Sequence, residues 1–173
     1  MRTHLQENYE VTLPEAITPE RISHLIHEKR IDPNIARIDL GMVKHKLQDT
    51  QEAKGWTAEE CEQHEVAYKR YLHLCKLHGK GMVPTKDVDE FWHQHIMDTR
   101  AYAQDCEEAL GHFLHHFPYL GMRGEEDARQ LETAFRRTKR LHREAFGEEL
   151  MPGGMNQCWH DCSGRCWNEC SSK

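Results

Sequence analysis

The chain has 173 residues, 23 of them basic and 29 acidic, and a formal net charge of -6. This length is enough for one ordinary domain with a buried core, plus a short appendage. The negative balance argues against a dedicated nucleic-acid-binding protein, which should present a basic patch. We therefore expect no nucleic-acid partner.

The sequence shows no sign of a membrane segment. No stretch approaches the roughly 18 consecutive apolar residues of a membrane helix, and residues 1–10 lack the apolar centre of a signal peptide. We therefore expect a cytoplasmic protein with no membrane partner. In a reducing cytoplasm its seven cysteines are expected to be thiols or metal ligands rather than disulfides.

Apolar residues recur at helical spacing along the chain, and alternating β-branched runs are missing, which predicts an all-α fold. The first helix is predicted to begin after Thr18, a candidate N-cap that is followed by Pro19. It should end before Pro33, which cannot continue a helix. A second helix is predicted over residues 35–51.

Thr57 and Glu60 have the spacing of a capping box, which predicts that a third helix begins there and covers residues 58–78. Two further helices are predicted over 88–110 and 125–146. The expected fold is a single domain of about five helices within residues 1–150.

Residues 151–173 differ in character and are predicted to form a flexible cysteine-rich tail after the Gly153–Gly154 linker. Its four cysteines recur every four residues: Cys158, Cys162, Cys166 and Cys170. Four thiols so close together suit Zn(II) or Cu(I), although structural zinc pairs more often have two intervening residues than three.

Three alternatives to a metal-binding tail stay open. The tail could be a disordered interaction segment, or it could form disulfides in an oxidising compartment. It could also be a peptide that is modified or cleaved after Gly154, with the helical domain acting as its leader. A modifying enzyme would then be the partner.

The densest chemistry lies between residues 87 and 121, which hold five histidines. On a single helix, His95, Tyr102 and Cys106 fall on one stripe together with Asp98. His93 points almost the opposite way. A straight helix therefore cannot bring both of its histidines to one metal ion, unless it is distorted.

After Gly111 the chain can turn back, so that the later histidines face the stripe of His95. Imidazole, carboxylate and thiolate ligands would suit Zn(II) or Fe(II). The candidate ligands are His93, His95, Asp98, Cys106, His115 and His116. Three neighbours are candidates to support the ligands without binding the ion: Asp89, Tyr102 and Asp105.

Geometry favours His95 as the ligand of the α-helical pair, with His93 contacting Asp89 or packing in the core. The predicted function is transition-metal binding at this centre and separately in the tail. Whether the centre is catalytic is left open. The competing interpretation is a metal-free helical interaction module, in which the histidines are simply solvated or hydrogen-bonded.

The run VDEFWHQHIMDTRAYAQDC, followed by GHFLHH, resembles the helical domain of the glycine-rich-domain-containing-protein-like family. The matching positions are Asp89, Trp92, His93, His95, Tyr102, Asp105, Cys106, Gly111, His115 and His116. The resemblance implies an all-helical domain and strengthens the case for a functional site among these residues. It does not bring an activity with it, and this chain lacks the glycine-rich regions of the plant relatives.

Overall fold

The computed structural model of the protein describes residues 13–51 and 53–150, and in them the chain forms seven α-helices and no strand. The helices are α1 (Pro19–His27), α2 (Pro33–Ala36), α3 (Gly41–Leu47), α4 (Ala58–His78), α5 (Lys86–Met97), α6 (Thr99–Leu110) and α7 (Glu125–Phe146). The all-α prediction is confirmed. None of these helices is long and apolar enough to span a membrane. The predicted tail lies outside the described residues.

Short-range signals located three of the helices. The Thr18 hydroxyl accepts a hydrogen bond from the Arg21 backbone N–H at 3.2 Å, which caps α1. The Thr57 and Glu60 side chains form the complete capping box that opens α4. Both α4 and α7 have the bounds predicted for them; α7 has no side-chain cap at its start, and the left-handed Gly147 ends it.

The predicted helix over 35–51 is wrong, since this region forms α2 and α3 with a break between them. The Asp39 carboxylate accepts hydrogen bonds from the backbone N–H groups of Gly41, at 2.9 Å, and of Ile17, at 3.0 Å. A side chain that satisfies backbone donors in this way competes with a continuous helix. Asp39 thereby also links the segment before α1 to the start of α3.

The predicted helix over 88–110 is likewise two helices, α5 and α6, which meet at Asp98. The Asp98 carboxylate accepts a hydrogen bond from the Ala101 N–H and so caps α6. Beyond this point α6 folds back on α5. The reversal brings the Trp92 Nε1–H within hydrogen-bonding distance of the Tyr102 hydroxyl, to which it donates at 2.9 Å. In a continuous helix those two residues would be separated by a rise of about 15 Å.

Helix α4 lies at the centre and packs against α2, α3, α5 and α7. Its Lys69 is fully buried. The ammonium donates to the carbonyls of Ala36, at 3.1 Å, and Ile38, at 2.8 Å. These carbonyls lie at and just beyond the end of α2, where backbone carbonyls have no partner within the helix. The ammonium also pairs with the buried Glu65 carboxylate at 2.8 Å.

Burial disfavours the charged form of Glu65, but the neighbouring Lys69 and Lys44 outweigh that cost and lower the pKa of Glu65 to about 2. The carboxylate is therefore ionised at neutral pH and holds both cations. This buried cluster fixes α2 and α3 against α4.

The substitution Lys69→Met should lower the free energy of unfolding by about 3 to 5 kcal/mol, because it leaves Glu65 and two buried carbonyls short of a donor. Lys76→Met, on the same helix, is the matched control. Lys76 pairs with the part-exposed Asp32 at 3.0 Å, so its loss should cost less than about 1 kcal/mol. Urea unfolding followed by far-UV circular dichroism measures both, and equal losses would contradict this account of the core.

Candidate metal centre

Two histidines and one carboxylate converge at the surface of α5. The Nε2 atoms of His93 and His116 lie 3.0 Å apart. The Asp89 carboxylate lies 2.9 Å from His116 Nε2 and 3.7 Å from His93 Nε2. One ligating atom from each residue lies within 4.8 Å of the other two, so all three can face a single ion.

The local fold explains how these side chains meet. Asp89 and His93 are four residues apart on α5, so they occupy one face of that helix on successive turns. His116 comes from residues 111–124, the connector between α6 and α7. Gly111 ends α6 in the left-handed conformation, with φ of 78°, and lets the connector turn back toward α5.

The ligating atoms are about as far apart as the ligands of one metal ion. Zinc bonds to histidine nitrogen and carboxylate oxygen are about 2.0 to 2.2 Å long, so two ligands of one tetrahedral ion lie about 3.3 to 3.5 Å apart. The histidine nitrogens lie 3.0 Å apart. Asp89 Oδ1 lies 2.9 Å from His116 Nε2, and Asp89 Oδ2 lies 3.7 Å from His93 Nε2, so the separations lie on either side of that value. The group is therefore compact enough to surround a single ion.

The group is buried on one side and open on the other. Asp89 and His116 are part-buried, whereas the His93 side chain is 47% exposed. Two imidazoles and one carboxylate on one side of an ion leave further coordination positions free. This ligand set is the one used by non-haem iron sites and by zinc sites that bind a water or a substrate.

His95 has a different environment from His93 although it lies only two residues away. It is 2% exposed, and both of its ring nitrogens have protein partners. Tyr68 lies 3.0 Å from Nδ1, and Asp105 lies 2.9 Å from Nε2. Burial keeps the pKa of Tyr68 well above its usual value, so its hydroxyl stays protonated and can donate to Nδ1. His95 therefore ties α4, α5 and α6 together.

This arrangement differs from the expectation that His95 would be the metal-facing histidine. That expectation placed His95, Asp98, Tyr102 and Cys106 along one continuous helix. Because the chain breaks at Asp98, α6 returns over the stripe and covers His95 with Asp105 and Tyr102. The face of α5 left open is the one that carries Asp89 and His93.

The remaining predicted residues lie outside the three-residue group. Asp98 caps α6, and His115 is exposed against the ring of Phe113 at 4.8 Å. Cys106 is buried, which raises the pKa of its thiol, and it contacts the Leu114 backbone and the Tyr102 hydroxyl. The structure thus brings His93 of α5 to His116 of the connector, and the Cys106 thiol lies apart from them. The tail cysteines lie outside the described residues.

Two contributions were missed in the sequence. Asp89 was assigned a supporting role, yet its carboxylate reaches the same point as the two histidines; its position one turn before His93 was the available signal. Trp92 entered the sequence analysis only as a position of the family resemblance. Its ring is buried, but it also lies against the His116 ring, with centroids 4.6 Å apart.

The fold and the site together define an all-helical domain with a surface group of two histidines and one carboxylate. The chain belongs to the UCP032817-like family, whose model matches residues 36–152. It is also similar to Glycine-rich domain-containing protein 1 of Arabidopsis thaliana, with 32% identity over 92 residues. Those residues are 50% of this chain but only 11% of that relative. The predicted resemblance is confirmed, and the chain matches no solved structure.

We predict that His95→Ala lowers the free energy of unfolding by about 2 to 4 kcal/mol, because the Tyr68 hydroxyl and Asp105 lose their partner and a cavity opens. His115→Ala, which alters an exposed side chain, should stay within about 0.5 kcal/mol of the wild type. Denaturant unfolding of both variants provides the measurement. Equal stability of His95→Ala and wild type would contradict the structural role of His95.

Proposed function

We propose that this protein binds a divalent transition metal ion, Zn(II) or Fe(II), at Asp89, His93 and His116. The observation that supports this most directly is the convergence of the three ligating atoms at distances that suit one ion. Imidazole nitrogen and carboxylate oxygen are ligands that both metals accept. A group of acidic side chains alone would carry much less weight, because carboxylates without nitrogen ligands commonly share a surface with no ion present.

The three-residue ligand set suggests a reactive or exchangeable ion rather than a purely structural one. Structural zinc sites are usually closed by four protein ligands, whereas catalytic sites keep a position for water or substrate. Here the half-exposed His93 leaves one side of the ion toward solvent. A small molecule with an oxygen or nitrogen donor could bind there directly.

The test uses the tag-free protein truncated after Gly154, so that neither a purification tag nor the tail contributes ligands. We expect one equivalent of metal by elemental analysis, and a visible Co(II) spectrum after exchange. His93→Ala and His116→Ala should each weaken binding by about 100-fold or more, since even the outer partners of ligands are worth 10- to 100-fold in affinity. Competition with a chelator of known affinity measures the difference.

His115→Ala is the matched control, because His115 adjoins His116 in sequence and lies outside the group. Its affinity should equal that of the wild type. Anaerobic purification of a parallel sample distinguishes Fe(II) from Zn(II). If the truncated wild type held no metal and gave no Co(II) spectrum, the metal-free interaction module would be the better interpretation.

We further propose that the tail binds a second, softer ion, Zn(II) or Cu(I), through Cys158, Cys162, Cys166 and Cys170. The support is their regular spacing in the sequence. Full-length protein should then hold one more equivalent of metal than protein truncated after Gly154, and substitution of the four cysteines by serine should remove it. Equal metal content in the two proteins would reject this site and favour a linker or a modified peptide.

A further inference from the structure

The connector that supplies His116 contains no helix and depends on a few fixed points. Near its end, the Asp127 carboxylate accepts hydrogen bonds from the backbone N–H groups of Gly121, at 2.6 Å, and Arg123, at 3.1 Å. Near its start, the partly buried Leu114 side chain packs against the core. The Leu114 carbonyl also accepts a hydrogen bond, and its donor is the Tyr102 hydroxyl on α6.

The Tyr102 hydroxyl links three parts of the chain. It donates a hydrogen bond to the Leu114 carbonyl on the connector, and it accepts one from the Trp92 indole N–H on α5 at 2.9 Å. Burial raises the pKa of Tyr102 far above its usual value, so the hydroxyl keeps its proton and remains a donor. Tyr102 itself is 1% exposed, which shields both hydrogen bonds from water.

Trp92 forms the other half of this contact. Its ring is held in the core against Tyr71 of α4, with centroids 5.3 Å apart. The same ring lies against His116, two residues beyond Leu114. Trp92 therefore supplies a donor to the hydroxyl that fixes the connector and a wall against which the His116 imidazole rests.

We propose that Tyr102 and Trp92 form a latch that positions His116 for metal binding, with Tyr102 as a positioning residue that never touches the ion. The inference rests on the proposed metal site. A ligand held in place before the ion arrives loses less conformational freedom on binding, so the affinity is higher. Without the latch, part of the binding free energy would be used to order the connector, and the metal affinity would be lower.

The central test is Tyr102→Phe, which keeps the buried ring and removes only the hydroxyl. Tyr119→Phe is the matched control, because Tyr119 lies on the same connector but is exposed, and its ring packs against Phe117 with centroids 5.7 Å apart. We expect Tyr102→Phe to weaken Zn(II) and Co(II) binding by about 10- to 100-fold, the range found for residues that orient metal ligands. Tyr119→Phe should match the wild type.

A double-mutant cycle separates positioning from general loss of structure. If Tyr102 acts through His116, the loss caused by Tyr102→Phe should disappear when His116 is already alanine. Trp92→Phe, which keeps a ring against His116 but lacks the indole donor, provides a second variant and should weaken binding in the same direction. Undiminished losses in the His116→Ala background would overturn the proposal.

Amide hydrogen exchange of the metal-free proteins tests the latch independently of any ion. Residues 112–117 should exchange at least about 10-fold faster in Tyr102→Phe than in wild type or Tyr119→Phe, while α4 stays protected. Unchanged exchange would overturn the latch even if the wild type binds metal. Faster exchange combined with a wild type that binds no metal would reject the metal site and with it the positioning role, so the two failures are distinguishable.

Discussion

The break between α5 and α6 at Asp98 is the constraint on which the site depends. A continuous helix would carry Tyr102 and Asp105 away from α5 by about 1.5 Å per residue. The Asp98 cap ends α5, and α6 then packs back on it, so that the Trp92 indole reaches the Tyr102 hydroxyl and His95 reaches Asp105. The same reversal directs the connector over α5 and delivers His116 to Asp89 and His93.

The neighbouring histidines of α5 show how one turn of helix can serve two purposes. His95 points into the protein, where Tyr68 and Asp105 are hydrogen-bond partners of its two ring nitrogens, so it contributes to the stability of the fold. His93 points outward, where its nearest polar neighbours are His116 and Asp89. Opposite directions on a helix separate these roles, because side chains two residues apart are about 200° apart around the axis.

The proposed metal ligands and the two residues that hold the connector, Tyr102 and Trp92, form one continuous structural unit. The group is open to solvent on the side of His93, and its buried side packs against aromatic rings that continue into the core through Trp92 and Tyr71. The rigid half of the site is α5, which α4 supports. The other half is the connector, whose exposed Phe113, Phe117 and Tyr119 lie on the same segment as His116. Metal affinity should therefore report how firmly that segment is held.

The sequence by itself determined the features that depend on neighbours within one or two turns. Helical periodicity established the all-α class, and the caps at Thr18 and Thr57 located α1 and α4. It also established that His93 and His95 face different ways. It did not reveal the breaks at Asp39 and Asp98, because an aspartate within an otherwise helical pattern is compatible with both a solvated side chain and a cap. Only the tertiary structure decided which histidine is open, since that depends on where α6 and the connector return. Asp105 and Tyr68 come from other helices to cover His95, and His116 comes from the connector to meet His93; contacts between such distant positions leave no periodic signal in the chain.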